Sequence, residues 1–198
     1  MRHDPAGDKS NAVKKNSSEA TLFVLKVTSC DRPNHKEPTT MSHDSSIREH
    51  ILDLLRGGNA HSTIERVVQD VPAAARGKRP DKLPYSLWEQ LEHIRIAQWD
   101  ILEFSRNPDH ESPSWPDGYW PDSPEPPRDD AWEQSIAQFQ SDLHAMQALV
   151  EDPDTDLYAP IPHGDGQTIL REALLVADHN AYHLGQMVTV RRLLGTWE

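Results

Sequence analysis

From residue 41 onward, hydrophobic positions recur at steps of three and four, and four stretches carry that helical period. Ser45 and Ser46 precede the first, with Glu49 three residues beyond Ser46 at capping-box spacing. Ile51, Leu54, Leu55, Gly58, His61, Glu65 and Val68 continue its stripe. Each glycine of the Gly57-Gly58 pair costs roughly 1 kcal/mol against alanine in a helix, so a kink or a close helix contact is expected there. Pro72 and residues 76–84 form the first connection. The second stretch runs from about Tyr85 to Ser105, with Leu87, Leu91, Ile94, Ile101 and Leu102 on one side. Residues 106–128 hold seven prolines and the aromatic run Trp115-Pro-Asp-Gly-Tyr-Trp120, which reads as a long loop. The third stretch, from about Asp129 to Val150, buries Trp132, Ile136, Phe139, Leu143 and Met146. A second loop over residues 152–166 contains Pro153, Pro160 and Pro162, and the last stretch, from about Gln167 to Leu194, is the most apolar. Four amphipathic helices without a credible strand pair predict an all-α protein, a four-helix bundle with long loops between its helices.

Residues 1–40 break this pattern. They are polar throughout and interrupted by Pro5, Pro33 and Pro38. Their one β-prone run, Thr21-Leu-Phe-Val-Leu-Lys-Val27, has no partner strand downstream. The expected organisation is therefore a disordered or non-native extension over residues 1–40 and one bundle domain over residues 41–198, with Met41 as the native start.

Charge narrows the partners. The 198-residue chain carries a formal net charge of −12. Residues 1–40 contribute seven basic and five acidic side chains, which leaves residues 41–198 at −14. An acidic body without a Lys/Arg cluster repels phosphate backbones and anionic bilayers, so neither nucleic acid nor a membrane is an expected partner. No apolar run approaches the roughly 20 residues of a membrane span, and no secretory signal is recognisable. The only cysteine, Cys30, lies in the extension, so the body offers no disulfide, no Cys-based zinc site and no thiol nucleophile. A cytoplasmic setting fits.

Histidine carries the chemistry. In Asp178-His-Asn-Ala-Tyr-His-Leu-Gly-Gln186, His179 and His183 stand four apart on one helix face, within an apolar stripe. A pair of hydrogen-bonded core histidines is one reading. Convergence on a divalent metal is the other, because neutral imidazole is the commonest metal ligand. His93, on the inward face of the second helix with Ala97 and Phe104, adds a third nitrogen. Three inward histidines leave a coordination position open, as catalytic metal sites do. No histidine has a Glu three residues before it, which excludes the paired motif of di-iron bundles. His179-Asn-Ala-Tyr-His183 lacks the glutamate of a zinc protease helix.

Over roughly residues 47–196 the chain resembles the DinB/YfiT-like metal-binding four-helix bundles. The carriers are Leu91-Glu-His-Ile-Arg-Ile-Ala-Gln98 and Ala177-Asp-His-Asn-Ala-Tyr-His-Leu-Gly-Gln186. The resemblance implies a divalent ion, commonly zinc or nickel, bound by one histidine of the second helix and two of the fourth, here His93, His179 and His183. Several relatives are thiol-dependent S-transferases or isomerases that use glutathione, mycothiol or bacillithiol. The implied activity is a metal- and thiol-dependent S-transferase, or a related enzyme, acting on a small electrophile with an external low-molecular-weight thiol. Two alternatives stay open. One is a hydrolase using metal-bound water, with Glu65, Glu172 and Asp100 as bases by face alone. The other is a non-catalytic metal-binding stress-response protein.

The remaining residues are weighed the same way. His61 and Glu65 fall on the inward stripe of the first helix; His61 is read as a fourth ligand, an outer partner of a ligand or a substrate contact, with Glu65 beside it, or simply as a buried histidine bonded to Glu65 or to backbone. His163 is placed either at the mouth of the site or in solvent. His144 lies on a solvated face, and His43, His50 and His110 are assigned no role. Trp88, Trp99 and Trp132 are expected in the core or between helices. Trp115, Tyr119 and Trp120 form a lid over the site or pack on the bundle side. A homodimer is compatible with the apolar last helix, as is a monomer that buries it centrally.

Overall fold

The structure is a computed structural model that describes residues 42–198. The expectations for residues 1–40 and for a start at Met41 therefore lie outside the described residues. Among the described residues there are six α-helices and no strand, so the protein is all-α. The single β-bridge, between Pro160 and Thr168, is isolated.

Helix α1 spans His43–Arg56 and starts at Ser42, whose side chain accepts from Ser45 N–H at 3.1 Å. Ser42 thus caps the helix in place of the expected Ser45/Ser46. The anticipated kink at the glycine pair is a complete break. Gly57 and Gly58 adopt φ of +69° and +81°, a left-handed region that glycine enters without steric cost. The chain leaves the helix there and resumes only at α2, Ile64–Val68, where the Thr63 side chain accepts from Arg66 N–H. A short α3, Ala73–Arg76, follows.

The other three long helices match their patterns closely. Helix α4, Leu87–Arg106, opens on a full capping box in which Ser86 Oγ accepts from Glu89 N–H at 3.2 Å. Glu89 Oε2 reciprocates by accepting from Ser86 N–H at 2.8 Å. Helix α5 covers Ala131–Glu151, and α6, capped by Thr168, covers Ile169–Leu193. Helix α4 packs against α5 and α6, and α1 packs against the same two from the other side. Trp132, Phe139, Leu87, Leu91, Ile94, Leu102, Met146 and Met187 fill the space between them and are fully buried. Burying each such side chain is worth roughly 1.5–3 kcal/mol, which offsets the entropy of ordering these helices.

Two arginines close the ends. Arg48 of α1 donates to the carbonyls of Val150, Asp152 and Thr155 at 2.7–2.9 Å, which covers acceptors at the C-terminus of α5 that have no helical partner. Arg191 of α6, 6% exposed, donates to the carbonyls of Val67 and Gln69 and to Thr196, which pins α2 and the C-terminal residues to the bundle. Trp88 and Trp132 are in the core, while Trp99 sits at its margin with the His110 ring 5.1 Å away. None of the helices among the described residues is long and apolar enough to cross a membrane.

Candidate metal centre

Three histidines meet where α4 and α6 face each other. One nitrogen from each of His93, His179 and His183 lies within 4.8 Å of the other two. His93 and His183 are buried and His179 is half-buried. The i,i+4 step on α6 stacks His179 and His183 with ring centroids 4.5 Å apart, and His93 meets both edge-on from α4.

Hydrogen bonds fix which nitrogen His93 and His183 present. His93 Nδ1 lies 2.9 Å from the Tyr119 carbonyl, and His183 Nδ1 lies 2.6 Å from Gln90 Oε1. Both oxygens only accept, so both Nδ1 atoms carry the proton and both Nε2 atoms present a lone pair. His93 Nε2 and His179 Nε2 stand 3.2 Å apart. Two imidazole nitrogens on one tetrahedral ion at about 2.0–2.1 Å lie roughly 3.3–3.4 Å from each other, so the spacing of this pair fits a shared cation. Burial favours the neutral form of each ring. It is the largest cause that holds His93 below its ordinary range, His179 down at about 4 and His183 down at about 3, and the neighbouring rings of the cluster add to it for the last two. The cluster contains no carboxylate.

The proline-rich loop completes the site. The indole of Trp120 stacks face to face on His93, with centroids 3.9 Å apart and planes 2° from parallel, and Tyr85 stacks on Trp120 in turn at 4.2 Å. Tyr119 is tied at both ends, since its hydroxyl donates to Asp100 Oδ2 at 2.6 Å while its carbonyl receives the His93 proton. His110 Nε2 meets Asp100 Oδ1 at 2.8 Å. Asp100 therefore anchors the loop at two points and, through Tyr119, orients His93. The two placements open for the aromatic run meet here: Tyr119 and Trp120 pack against the bundle at the site itself, with Trp120 covering one face of His93, and Trp115 stands out in solvent, 76% exposed.

A family comparison adds to this geometry. The DinB superfamily model matches residues 59–187, about two thirds of the chain and both histidine-bearing helices. The chain belongs to the DinB superfamily. Among curated proteins and among solved structures, nothing matches it significantly. This DinB protein thus brings its three inward histidines together as the residue pattern implied.

Other expectations do not hold. His61 and Glu65 were placed on an inward stripe that required α1 to continue through the glycine pair. Because the helix stops there, both are exposed. The His61 Nδ1 atom meets the Ser62 carbonyl at 3.0 Å, and Glu65 accepts from Gln140 at 3.3 Å, so neither joins the cluster. Leu54, on the same expected stripe, is 52% exposed. His163 takes the solvent placement of its two: it is exposed, with Nε2 2.6 Å from the Phe104 carbonyl, eleven residues or about 16 Å along α4 from His93. Glu172 is buried beside Arg171, about 10 Å along α6 from His179. His144 is exposed as expected, but His110 has the anchoring contact that its loop position did not reveal. Gln90, Tyr85, Tyr119 and Trp120 were missed as partners of the ligands. Gln90 carried a usable signal, a polar residue three before His93 on the face that Leu87, Leu91 and Ile94 bury.

Proposed function

We propose that His93, His179 and His183 hold a divalent ion, zinc or nickel, and that the protein is a metal- and thiol-dependent S-transferase for a small electrophile. The observation that carries this reading is the convergence of three neutral imidazoles with no carboxylate among them. A bound ion with a position left open would lower the pKa of a thiol placed there far enough to deprotonate it at neutral pH. Residues 41–198 contain no cysteine, so this part of the chain supplies no thiol of its own and the reading takes an external one. This is where the reducing interior of a cell fits the proposal, since small thiols are abundant there.

The protein's own part is positioning. The Tyr119 carbonyl and Gln90 Oε1 each accept from one Nδ1, which leaves the two Nε2 lone pairs free for an ion. The Trp120 ring covers one face of His93 and excludes water from it. Transfer from an acidified thiol needs no protein base, whereas hydrolysis is helped by one. Each carboxylate considered as a base is either committed or remote: Asp100 to Tyr119 and His110, Glu172 to Arg171, Glu65 to the surface. That distribution favours transfer over hydrolysis.

The test starts with protein purified without a polyhistidine tag or chelator, with metal content measured directly. The expected result is one divalent ion per chain, and thiol conjugation of an electrophile only when both ion and a small thiol are present. Turnover without thiol would replace the reading with a hydrolase. A full complement of metal with no turnover under any thiol would leave a binding protein, and absence of metal would overturn the centre itself.

A further inference from the structure

Beside Gln90, whose Oε1 meets the His183 ring, lies a cavity of about 200 Å³. Leu83, Pro84, Tyr85 and Val190 form apolar walls, and the amides of Gln90 and Gln186 are its main polar groups. No charged side chain lines it. An ionic ligand would be desolvated there without a partner, at a cost of several kcal/mol. The volume falls below the roughly 300–1,000 Å³ of drug-sized sites, so the occupant is small.

Gln90 supplies the recognition element. It is 2% exposed, and its Oε1 is held by the His183 Nδ1 proton at 2.6 Å. That bond fixes the orientation of the amide, and its Nε2 group donates to no acceptor among the described residues. A buried amide with two uncommitted protons at the wall of an apolar cavity is complementary to a hydrogen-bond acceptor. Tyr85 also belongs to the stack that reaches His93 through Trp120, so both walls of the cavity that carry recognition touch the cluster's supports.

We propose that this cavity binds a small, neutral, largely apolar molecule through an acceptor oxygen such as a ketone carbonyl received by Gln90. As a binding site it stands independently of the transferase reading.

Cyclohexanone titrated into the full chain, followed by ligand-observed NMR, tests the site with and without chelator. Saturable binding is expected in both forms, with none for cyclohexanecarboxylate. Gln90→Met removes the amide donor at similar volume, so ketone affinity should fall about fivefold. Thr189→Phe, at an exposed position on the cavity rim, should fill the space and abolish ketone binding without touching the metal. No saturable ketone binding, equal binding of the carboxylate, or unchanged affinity in both variants would overturn the site.

Discussion

Replacing Tyr119 by Phe should disturb the metal centre from a hydroxyl that never touches it. The Tyr119 hydroxyl donates to Asp100 Oδ2 at 2.6 Å, a short bond to a carboxylate that is itself 8% exposed. Without it Asp100 keeps only His110, and the loop loses one of its two anchors. Hydrogen bonds to charged groups contribute about 1.5–3 kcal/mol, and Tyr119 is half-buried, so the lower end applies, about 1.5–2 kcal/mol. For a protein of this size that corresponds to a fall in Tm of roughly 3–8 °C. The same loop carries the carbonyl that orients His93, 2.9 Å from Nδ1. Removing a direct partner of a metal-ligating histidine costs about 10- to 100-fold in affinity, and this change acts one bond further out, so about three- to tenfold is expected. Urea unfolding followed by circular dichroism, with chelator and with saturating zinc, reads the first effect; competition against a chromogenic chelator reads the second. The wild-type phenol also has a distinctive titration, pushed up to about 12 chiefly by burial, with the Asp100 hydrogen bond and charge adding to it. A raised phenol contributes stability that is complete below about pH 10, the unfolded value, and is lost as pH climbs toward 12. A Phe variant with the wild-type urea midpoint and the wild-type zinc affinity would refute the anchoring argument.

Single changes of His93, His179 or His183 to Ala should each remove most bound metal, while His144→Ala, on an exposed face, should alter neither metal content nor Tm. Chelation of the wild type should lower Tm, by an amount set by occupancy: a ligand at a hundred times its Kd stabilises by about 2.7 kcal/mol. Metal-free protein should weaken in acid, because His183 at about 3 and His179 at about 4 refuse protons that the unfolded chain accepts near pH 6.5. Their contribution is complete above about pH 6.5 and falls as pH drops toward 3, so a urea midpoint that stayed level from pH 7 to pH 4 would contradict the burial of these rings. Arg191→Met should cost about 3 kcal/mol or more, since buried carbonyls of α2 and the C-terminal residues lose their donor together. Equal denaturant midpoints for that variant and the wild type would show that water replaces the guanidinium without loss.

The helix-forming stretches of this DinB protein and its three inward histidines were legible in the chain alone, because both depend on local periodicity. A three- and four-residue step puts Leu87, Leu91, Ile94 and His93 on the inward side of one helix, and the four-residue step puts His179 and His183 on the inward side of another, whatever surrounds them. Burial of one face then follows from the hydrophobic effect. The glycine pair marked the limit of that reasoning. The same two residues permit a kinked helix or a terminated one, and the choice turned on whether Gly57 and Gly58 took positive φ, which moved His61 and Glu65 from an inward stripe to the surface. Periodicity was also silent on loops. Nothing in the spacing of residues 106–128 tells which carbonyl meets His93 or that Asp100 holds His110 and Tyr119, because those contacts join positions 10 to 26 residues apart with no repeating step between them. Only the packed chain decides them, since a buried polar group must find its partner wherever the fold brings one. The tautomers of His93 and His183, and with them the direction in which the cluster presents its lone pairs, were settled at that level and not below it.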